Sequence, residues 1–115
     1  MIKKSTAQEK EIRANMRGGT GDIKIRHYFK SNEINARCRL CAELVIAPSN
    51  SIGLHDHTNE DEIFIVQQGE GIVIDDGQEV EIAAGDAILT GKGNSHAIRN
   101  IGNSDLIVTA IIMQY

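Results

Sequence analysis

Aromatic side chains are scarce in this chain, which has no tryptophan, two tyrosines and two phenylalanines. Proteins that bind single-stranded nucleic acid rely on aromatic platforms on which the bases stack. A basic excess is also lacking, because 12 Lys and Arg residues stand against 16 Asp and Glu residues, for a formal net charge of -4. We therefore expect no nucleic-acid partner, and we expect aliphatic side chains to fill the core.

Long apolar runs are missing as well. No stretch reaches the roughly 18 residues that a membrane-spanning helix needs. Charged residues follow Met1 and Ile2 where a signal peptide would require an apolar segment. We expect a soluble, cytoplasmic protein with no membrane partner. Its 115 residues fit a single domain that can bury a core without disulfide bonds or structural metal ions.

Cysteine is limited to Cys38 and Cys41, which form one C-x2-C pair with no second pair to complete a zinc site. The pair leads into an alternating, strand-like segment. Positions three apart on a strand lie roughly 10 Å apart on opposite faces, which is too far for a disulfide bond. The pattern predicts two ordinary reduced thiols.

The first residues differ in character from the rest of the chain. Residues 1–22 are polar and charged and end in the glycine-rich stretch 16–22, whereas the remainder carries apolar runs. We predict an N-terminal arm at residues 1–22 and a barrel domain at residues 23–115. Thr6 and Glu9 have the spacing of a helix capping box, which predicts a short helix from Ala7 to Asn15.

From Asp22 onward, short apolar runs alternate with Gly, Asn and Asp, and no segment repeats at the helical period. This pattern predicts an all-β fold, either a sandwich or a barrel. Asp76-Gly77 favours a tight hairpin turn, and the lone proline, Pro48, ends a strand. The predicted strands cover residues 23–29, 39–47, 52–57, 62–68, 71–75, 79–82, 87–90, 95–99 and 105–113.

Three of the four histidines occur in a pattern with a glutamate, His55-x-His57-x4-Glu62, followed far downstream by His96. Side chains alternate along a strand, so His55 and His57 point to one face, and a turn can bring Glu62 beside them. Imidazole and carboxylate ligands suit Fe, Mn, Zn, Ni and Cu alike. The alternative is that these are ordinary surface or hydrogen-bonded histidines. His27 lies apart from this pattern, and we assign it no role.

These residues carry a resemblance to a known family, the cupins, and specifically to a small single-domain cupin. The first cupin motif is matched by His55, His57, Glu62 and Gly69. The second motif is matched by Gly85, Gly93, His96 and Asn100. Gly91 stands where the family usually has proline, which loosens the turn before His96 without removing a ligand.

The resemblance covers Leu40 to Met113 and implies a double-stranded β-helix, also called a jelly-roll or cupin barrel. It implies one divalent metal held by His55, His57, Glu62 and His96, with two open positions, and association as a homodimer. Cupins include dioxygenases, decarboxylases, isomerases and proteins without catalysis, so fold and metal alone do not select a reaction.

Two functional hypotheses follow. The first is a small metalloenzyme, dioxygenase-, decarboxylase- or isomerase-like, that coordinates a small oxygen-rich or anionic substrate. The second is a non-catalytic binding or sensing module with a structural metal. Arg17 and Arg99 are candidates for a carboxylate clamp, although Arg99 falls on the opposite strand face and fits a solvated residue better.

Residues around the ligands offer few further candidates. Gln68, Thr90 and Ser95 can orient an imidazole, although strand alternation places Ser95 on the wrong face. The acidic residues Asp56, Glu60 and Asp61 lie in the loop region and fit solvated side chains. No catalytic acid or base is assigned.

Overall fold

The computed structural model describes every residue from Met1 to Tyr115 and contains ten β-strands and three short 3-10 turns. The strands are β1 (Lys10–Ala14), β2 (Asp22–His27), β3 (Cys38–Ile46), β4 (Ser51–Asp56), β5 (Glu60–Gln68), β6 (Glu70–Asp75), β7 (Gln78–Ala83), β8 (Ala87–Thr90), β9 (Ser95–Asn100) and β10 (Leu106–Gln114). The turns are Ser5–Ala7, Met16–Gly18 and Ser31–Glu33. The prediction of an all-β fold is confirmed. None of the helical segments has the length and apolar character to cross a membrane.

The strands form two sheets in which every pair is antiparallel. One sheet has six strands in the order β1-β2-β3-β10-β5-β8, and the other has four in the order β4-β9-β6-β7. Consecutive strands often lie in different sheets, so the chain winds back and forth between them, as in the predicted jelly-roll barrel. The two sheets face each other across one core.

Period-two alternation explains how the strands bury one face. In β10, Leu106, Val108 and Ala110 are buried, whereas Ile107 and Thr109 on the other face are only half-buried. Fourteen residues from both sheets form the core: Ile23, Ile25, Ala42, Leu44, Ile46, Ile52, Phe64, Val66, Val73, Ile82, Ile98, Leu106, Val108 and Ala110. Each fully buried aliphatic side chain contributes about 1.5–3 kcal/mol relative to exposure.

The predicted hairpin turn at Asp76 and Gly77 is confirmed. Asp75 pairs with Gln78, so only two residues connect β6 to β7. Their φ angles are 47° and 87°, the left-handed values that a two-residue turn of this kind requires. Asp and Gly tolerate these angles better than other residues do.

The predicted helix from Ala7 to Asn15 is wrong, because this segment forms β1. The strand pairs with β2 from Lys10 opposite Arg26 to Ala14 opposite Asp22. Its single large aliphatic residue, Ile12, is 63% exposed and gives no burial signal. Pairing with β2 therefore overrides a weak local preference for helix. The predicted division of the chain after residue 22 falls inside β2, just after its first residue, and stays a prediction.

The segment after β1 lies against the strand that carries the first histidine. A Cβ on Gly19 would lie 2.2 Å from the Ser51 carbonyl oxygen, and a Cβ on Gly53 would lie 2.1 Å from that of Arg17. Only glycine permits so close an approach of two backbones. Ser51 also exchanges hydrogen bonds with Thr20 at 2.9 and 3.0 Å. Residues 17–20 are thereby held against β4.

Candidate metal centre

The four side chains selected from the sequence converge at one end of the barrel. His55 lies in β4, and His57 is the first residue after that strand, which ends at Asp56. Glu62 is the third residue of β5, and His96 in β9 pairs with His55 across the sheet. Their donor atoms all lie within 4.8 Å of one another, and this group can hold a metal ion.

Distances within the group indicate a shared centre. The Nε2 atom of His96 lies 3.0 Å from that of His57 and 3.1 Å from that of His55. The Oε1 atom of Glu62 lies 3.0 Å from His57 Nε2, 2.9 Å from His96 Nε2 and 4.0 Å from His55 Nε2. Nitrogen lone pairs that face each other repel unless a cation or a proton lies between them.

Each imidazole is oriented by a separate hydrogen bond on its other nitrogen. His55 Nδ1 lies 2.7 Å from the Gly53 carbonyl oxygen, and His57 Nδ1 lies 2.8 Å from Glu60 Oε1. These oxygens can only accept, so both Nδ1 atoms donate and leave Nε2 free to coordinate. The third imidazole is oriented by Thr90, whose hydroxyl oxygen lies 2.9 Å from His96 Nδ1.

Arg39 holds the Glu60 carboxylate in place beside His57. Arg39 from β3 donates two hydrogen bonds to its carboxylate, at 2.8 and 3.1 Å. The hydrogen bond from Arg39 lowers the pKa of Glu60, although burial opposes it, and His57 contributes further. The sequence suggested that Glu60 is simply solvated. In the structure it instead orients His57, one of the candidate metal-binding groups. Its position two residues before Glu62, on the same strand face, was a usable signal for this role.

The predicted outer partners of the ligands have different outcomes. Thr90 contacts His96, as predicted. Gln68 instead donates its amide to the Asp105 carbonyl at 3.4 Å, and Ser95 pairs with Asp56 without contacting a ligand through its side chain. Arg99 is 47% exposed and lies 3.6 Å from Glu79, so it is a surface residue and not a clamp.

The turn before His96 is joined directly to His57. Gly93 donates its backbone N–H to the His57 carbonyl at 2.8 Å, and His57 donates to that of Asn94 at 3.0 Å. Asn94 also closes the turn on Gly91 at 3.0 Å. These bonds hold the turn although Gly91 replaces the usual proline, and they couple the two motifs in space.

Charge is distributed unevenly over the four side chains. Burial acts to raise the pKa of Glu62, but the imidazoles of His55, His57 and His96 outweigh it and hold that pKa well below its usual range. The hydrogen bond with Glu62 raises the pKa of His57 despite burial. Burial lowers the pKa of His96, although Glu62 opposes this. The centre therefore contains an ionised carboxylate that favours a cation beside it.

A cavity of about 180 Å³ opens onto this group. Its walls include the ligands His55, His57 and Glu62, and His27, which the sequence had left without a role. The aliphatic and aromatic lining residues are Met16, Phe29, Leu40, Leu44, Ile52, Phe64 and Ile112. The basic lining residues are Arg13, Arg17, Lys30 and Arg39. The lining also includes the carboxylates of Glu11 and Glu62. A cavity of this size suits a small molecule, since one water occupies about 30 Å³ in the liquid.

Comparison with known proteins agrees with the geometry. The cupin domain family model matches residues 42–112. This chain therefore belongs to the cupin family. It is 39% identical over 113 residues to the oxalate-binding protein of Thermotoga maritima. The alignment spans 98% of this chain and 93% of that protein.

Solved structures show the same relationship. The crystal structure of a predicted oxalate decarboxylase from Thermotoga maritima aligns with a TM-score of 0.95 at 38% identity, over 100% of both chains. A polyketide cyclase from Streptomyces resistomycificus aligns with a TM-score of 0.78 at 19% identity, over 99% of this chain and 80% of the other. The latter similarity shows the fold alone.

Proposed function

We propose that His55, His57, Glu62 and His96 bind one divalent transition metal, and that the metal binds a small bidentate anion of the oxalate class. The observation that carries the proposal is the set of distances among the four donor atoms. With metal–ligand bonds of about 2.1 Å, neighbouring donors of an octahedron are about 3.0 Å apart and opposite donors about 4.2 Å apart.

The five donor distances given above fit this scheme. Glu62 and His55, 4.0 Å apart, correspond to opposite positions, whereas His57 and His96 lie 3.0 Å apart and correspond to neighbouring ones. The two positions that remain are then also neighbours of each other. Two neighbouring positions suit a ligand that binds through two oxygens and forms a chelate ring. Fe, Mn, Zn, Ni and Cu are all compatible with these donors.

The charge of the cavity supports an acidic ligand. Three neutral imidazoles and one carboxylate offset only one unit of a +2 ion, so the centre attracts anions. Arg13, Lys30 and Arg39 already have carboxylate partners, whereas no ion pair of the chain includes Arg17. The Arg17 guanidinium is therefore the group free to bind a carboxylate. The related oxalate-binding protein agrees with a dicarboxylate.

A metalloenzyme acting on such an acid is the second candidate. A bound metal supplies Lewis-acid chemistry or activates oxygen, and the residues of this chain position the acid beside it. One observation favours catalysis, because the cavity also contains Glu11 and His27, titratable groups outside the metal set. Such an enzyme would be dioxygenase-, decarboxylase- or isomerase-like.

The metal assignment is tested by purification without a metal-binding tag and by elemental analysis. The double variant with His55→Ala and His57→Ala should lose its bound metal, because half of the donors are removed. His27→Gln is the matched control and should retain the metal. Metal content that is unchanged in the double variant would refute the ligand assignment.

Ligand binding and turnover are tested on the metal-loaded protein. Calorimetric titration with oxalate should show one ligand per metal, with acetate as a monocarboxylate control that binds more weakly. Oxygen uptake and carbon dioxide release, followed with small acids and enols on the iron and manganese forms, distinguish an enzyme from a binding protein. No heat with any small dicarboxylate would refute the ligand class.

The homodimer is part of the same proposal. The outer face of the six-stranded sheet presents four half-buried isoleucines: Ile63, Ile65, Ile107 and Ile111. Light scattering on the eluted protein measures the assembly directly. A monomer at high micromolar concentration would contradict this part of the proposal, without bearing on the metal site.

A further inference from the structure

Strand β1 forms one edge of the six-stranded sheet and pairs with β2 alone. Four of its five residues are exposed, and Ile12 at its centre is 63% exposed. An unpaired edge presents backbone N–H and C=O groups that can bind a further strand, and proteins commonly block such edges with proline or a bulge. Strand β1 contains no proline, and its register with β2 continues without a bulge. This edge is therefore open to another strand.

The hydrogen bonds to β2 show which backbone groups of β1 are free. His27 donates its N–H to the Glu9 carbonyl at 2.8 Å, and Asn15 donates its N–H to the Gly21 carbonyl at 3.0 Å. In an antiparallel pair, successive residues direct their backbone groups alternately toward the partner strand and away from it. The odd-numbered residues from Glu9 to Asn15 therefore face β2. The residues whose N–H and C=O groups point away from the sheet are Lys10, Ile12 and Ala14.

The order of charges along β1 selects a second copy of the same strand as the partner. When two copies run antiparallel with Ile12 opposite Ile12, Glu11 of each copy lies opposite Arg13 of the other. Unlike charges directly opposite each other stabilise a strand pair, and like charges destabilise it. The neighbouring antiparallel registers that keep the free backbone groups opposed place Glu11 opposite Glu11 or Arg13 opposite Arg13. A parallel pair in register opposes both sets of like charges.

The opposed charges of the two copies share one face of the strand. Glu11 Oε1 lies 2.7 Å from the Arg13 guanidinium of its own chain and 3.2 Å from His27 Nε2, and all three residues line the cavity. Because the backbone groups of Glu11 and Arg13 face β2, these residues form non-hydrogen-bonded pairs across the contact, in which side chains approach most closely. The four charges of two copies therefore alternate in sign.

We propose that two copies of this chain pair through β1, antiparallel and with Ile12 opposite Ile12, so that their six-stranded sheets become one continuous sheet. Ile12 with Ile12, and Lys10 with Ala14, then exchange backbone hydrogen bonds. The inference goes beyond the function proposed above, and it uses a different surface from the outer isoleucine face. A contact of one short strand is small beside the roughly 1,200–2,000 Å² of stable interfaces, so the pair should dissociate on dilution.

Disulfide capture tests the register. In a background with Cys38→Ser and Cys41→Ser, Ile12→Cys should form a covalent dimer when the protein is oxidised with diamide. The Cα atoms of a hydrogen-bonded pair are about 5.5 Å apart, which suits a disulfide bond. Lys10→Cys is the matched control, because its two copies would lie about 13 Å apart along the strand. Equal capture of both variants, or capture of neither, would overturn the inference.

Charge inversion tests the identity of the partner. Glu11→Lys and Arg13→Glu each oppose like charges in a pair of identical copies, so each variant should need a roughly tenfold higher concentration to associate in sedimentation velocity. An equimolar mixture of the two should associate about as well as the wild-type protein, because every cation then lies opposite a carboxylate. A merely structural effect of either substitution would not be rescued by mixing. A mixture that associates no better than its components would contradict the pairing.

Proline at the centre of β1 separates this contact from the isoleucine face. The Ile12 N–H points away from β2, so Ile12→Pro removes a hydrogen bond of the proposed contact and none to β2. This variant should need a roughly tenfold higher concentration to associate, whereas Ile12→Val retains the N–H and should match the wild-type protein.

Two results in sedimentation velocity would overturn the inference. One is a wild-type protein that stays monomeric, and the other is an assembly that Ile12→Pro leaves unchanged, which would assign association to the isoleucine face. Metal content and oxalate binding are measured separately on the same samples. Their loss in the wild-type protein would refute the proposed function without bearing on β1.

Discussion

Thr90→Val should weaken metal binding without touching a metal ligand. Thr90 is buried at 1% exposure, and its hydroxyl is the partner of His96 Nδ1 at 2.9 Å. Valine has nearly the same shape but no hydroxyl. His96 is also 1% exposed, so no water replaces the lost partner of its Nδ1–H. An unsatisfied buried donor costs about 1–3 kcal/mol.

The His96 imidazole has a second tautomer, which makes the effect of Thr90→Val specific to metal binding. In the variant, His96 can move its hydrogen to Nε2 and donate it to Glu62 Oε1, which lies 2.9 Å away. That tautomer satisfies the ring in the metal-free protein but removes the lone pair that binds the metal. We therefore expect metal affinity to fall about 10- to 100-fold, the range found for orienting groups around metal ligands.

Competition against a chromogenic chelator measures this affinity for manganese or zinc. Thr90→Ser retains a hydroxyl and should bind nearly as well as the wild-type protein. The matched control is Thr109→Val on the outer face of β10, where the hydroxyl contacts Tyr28 and Gln67 and no ligand. Wild-type affinity in a folded Thr90→Val variant would refute the claim that this hydroxyl orients His96 for metal binding.

Three further outcomes are expected. Metal loading should raise the midpoint of thermal unfolding, because the proposed ligands come from both sheets. Free metal at about 100 times its dissociation constant adds about 2.7 kcal/mol to the free energy of unfolding. An unchanged midpoint in scanning calorimetry would contradict this. Arg17→Gln should weaken oxalate binding about tenfold in calorimetric titration, with metal content unchanged, and equal affinities would exclude a clamp. The hydrogen bonds from the Lys3 side chain and the Lys30 backbone lower the pKa of Glu33. The folded carboxylate therefore holds its proton less tightly than the unfolded one, so its stabilising contribution is present above about pH 4.5 and is lost as pH falls. Urea unfolding of Glu33→Gln should show a weaker loss of stability in acid, and curves parallel to wild type would contradict it.

The fold was predictable from the sequence where burial leaves a periodic pattern. Strand β10 and the hairpin at Asp76 and Gly77 were predicted because alternation and turn chemistry are local properties. Strand β1 was missed because it lies at the edge of its sheet with four of its five residues exposed, Ile12 among them, so no apolar alternation marks it. Its strand conformation comes from hydrogen bonds to β2, which no local pattern records.

The candidate site was predictable in its inner part only. His55, His57, Glu62 and His96 stand out because the two motifs combine ligand residue types with strand spacing. Arg39 could not be identified from the sequence. Its contact with Glu60 depends on the position of β3 relative to β5, and β10 lies between these two strands in the sheet. The partners of outer groups are set by strand register, which a single sequence does not contain.

Sheet order and backbone contacts connect the N-terminal segment to the candidate metal centre. His55 and His96 come from the four-stranded sheet, whereas Glu62 comes from the six-stranded sheet, so an ion held by all three would cross-link the two. The carbonyl of Gly53 orients His55, and the backbone of Arg17 lies against that same glycine. A shift of the arm would therefore move both the proposed carboxylate clamp and the group that orients a metal ligand. A side chain at residue 53 would collide with the Arg17 carbonyl oxygen, so glycine at this position permits the backbone contact that joins the N-terminal segment to the group orienting His55.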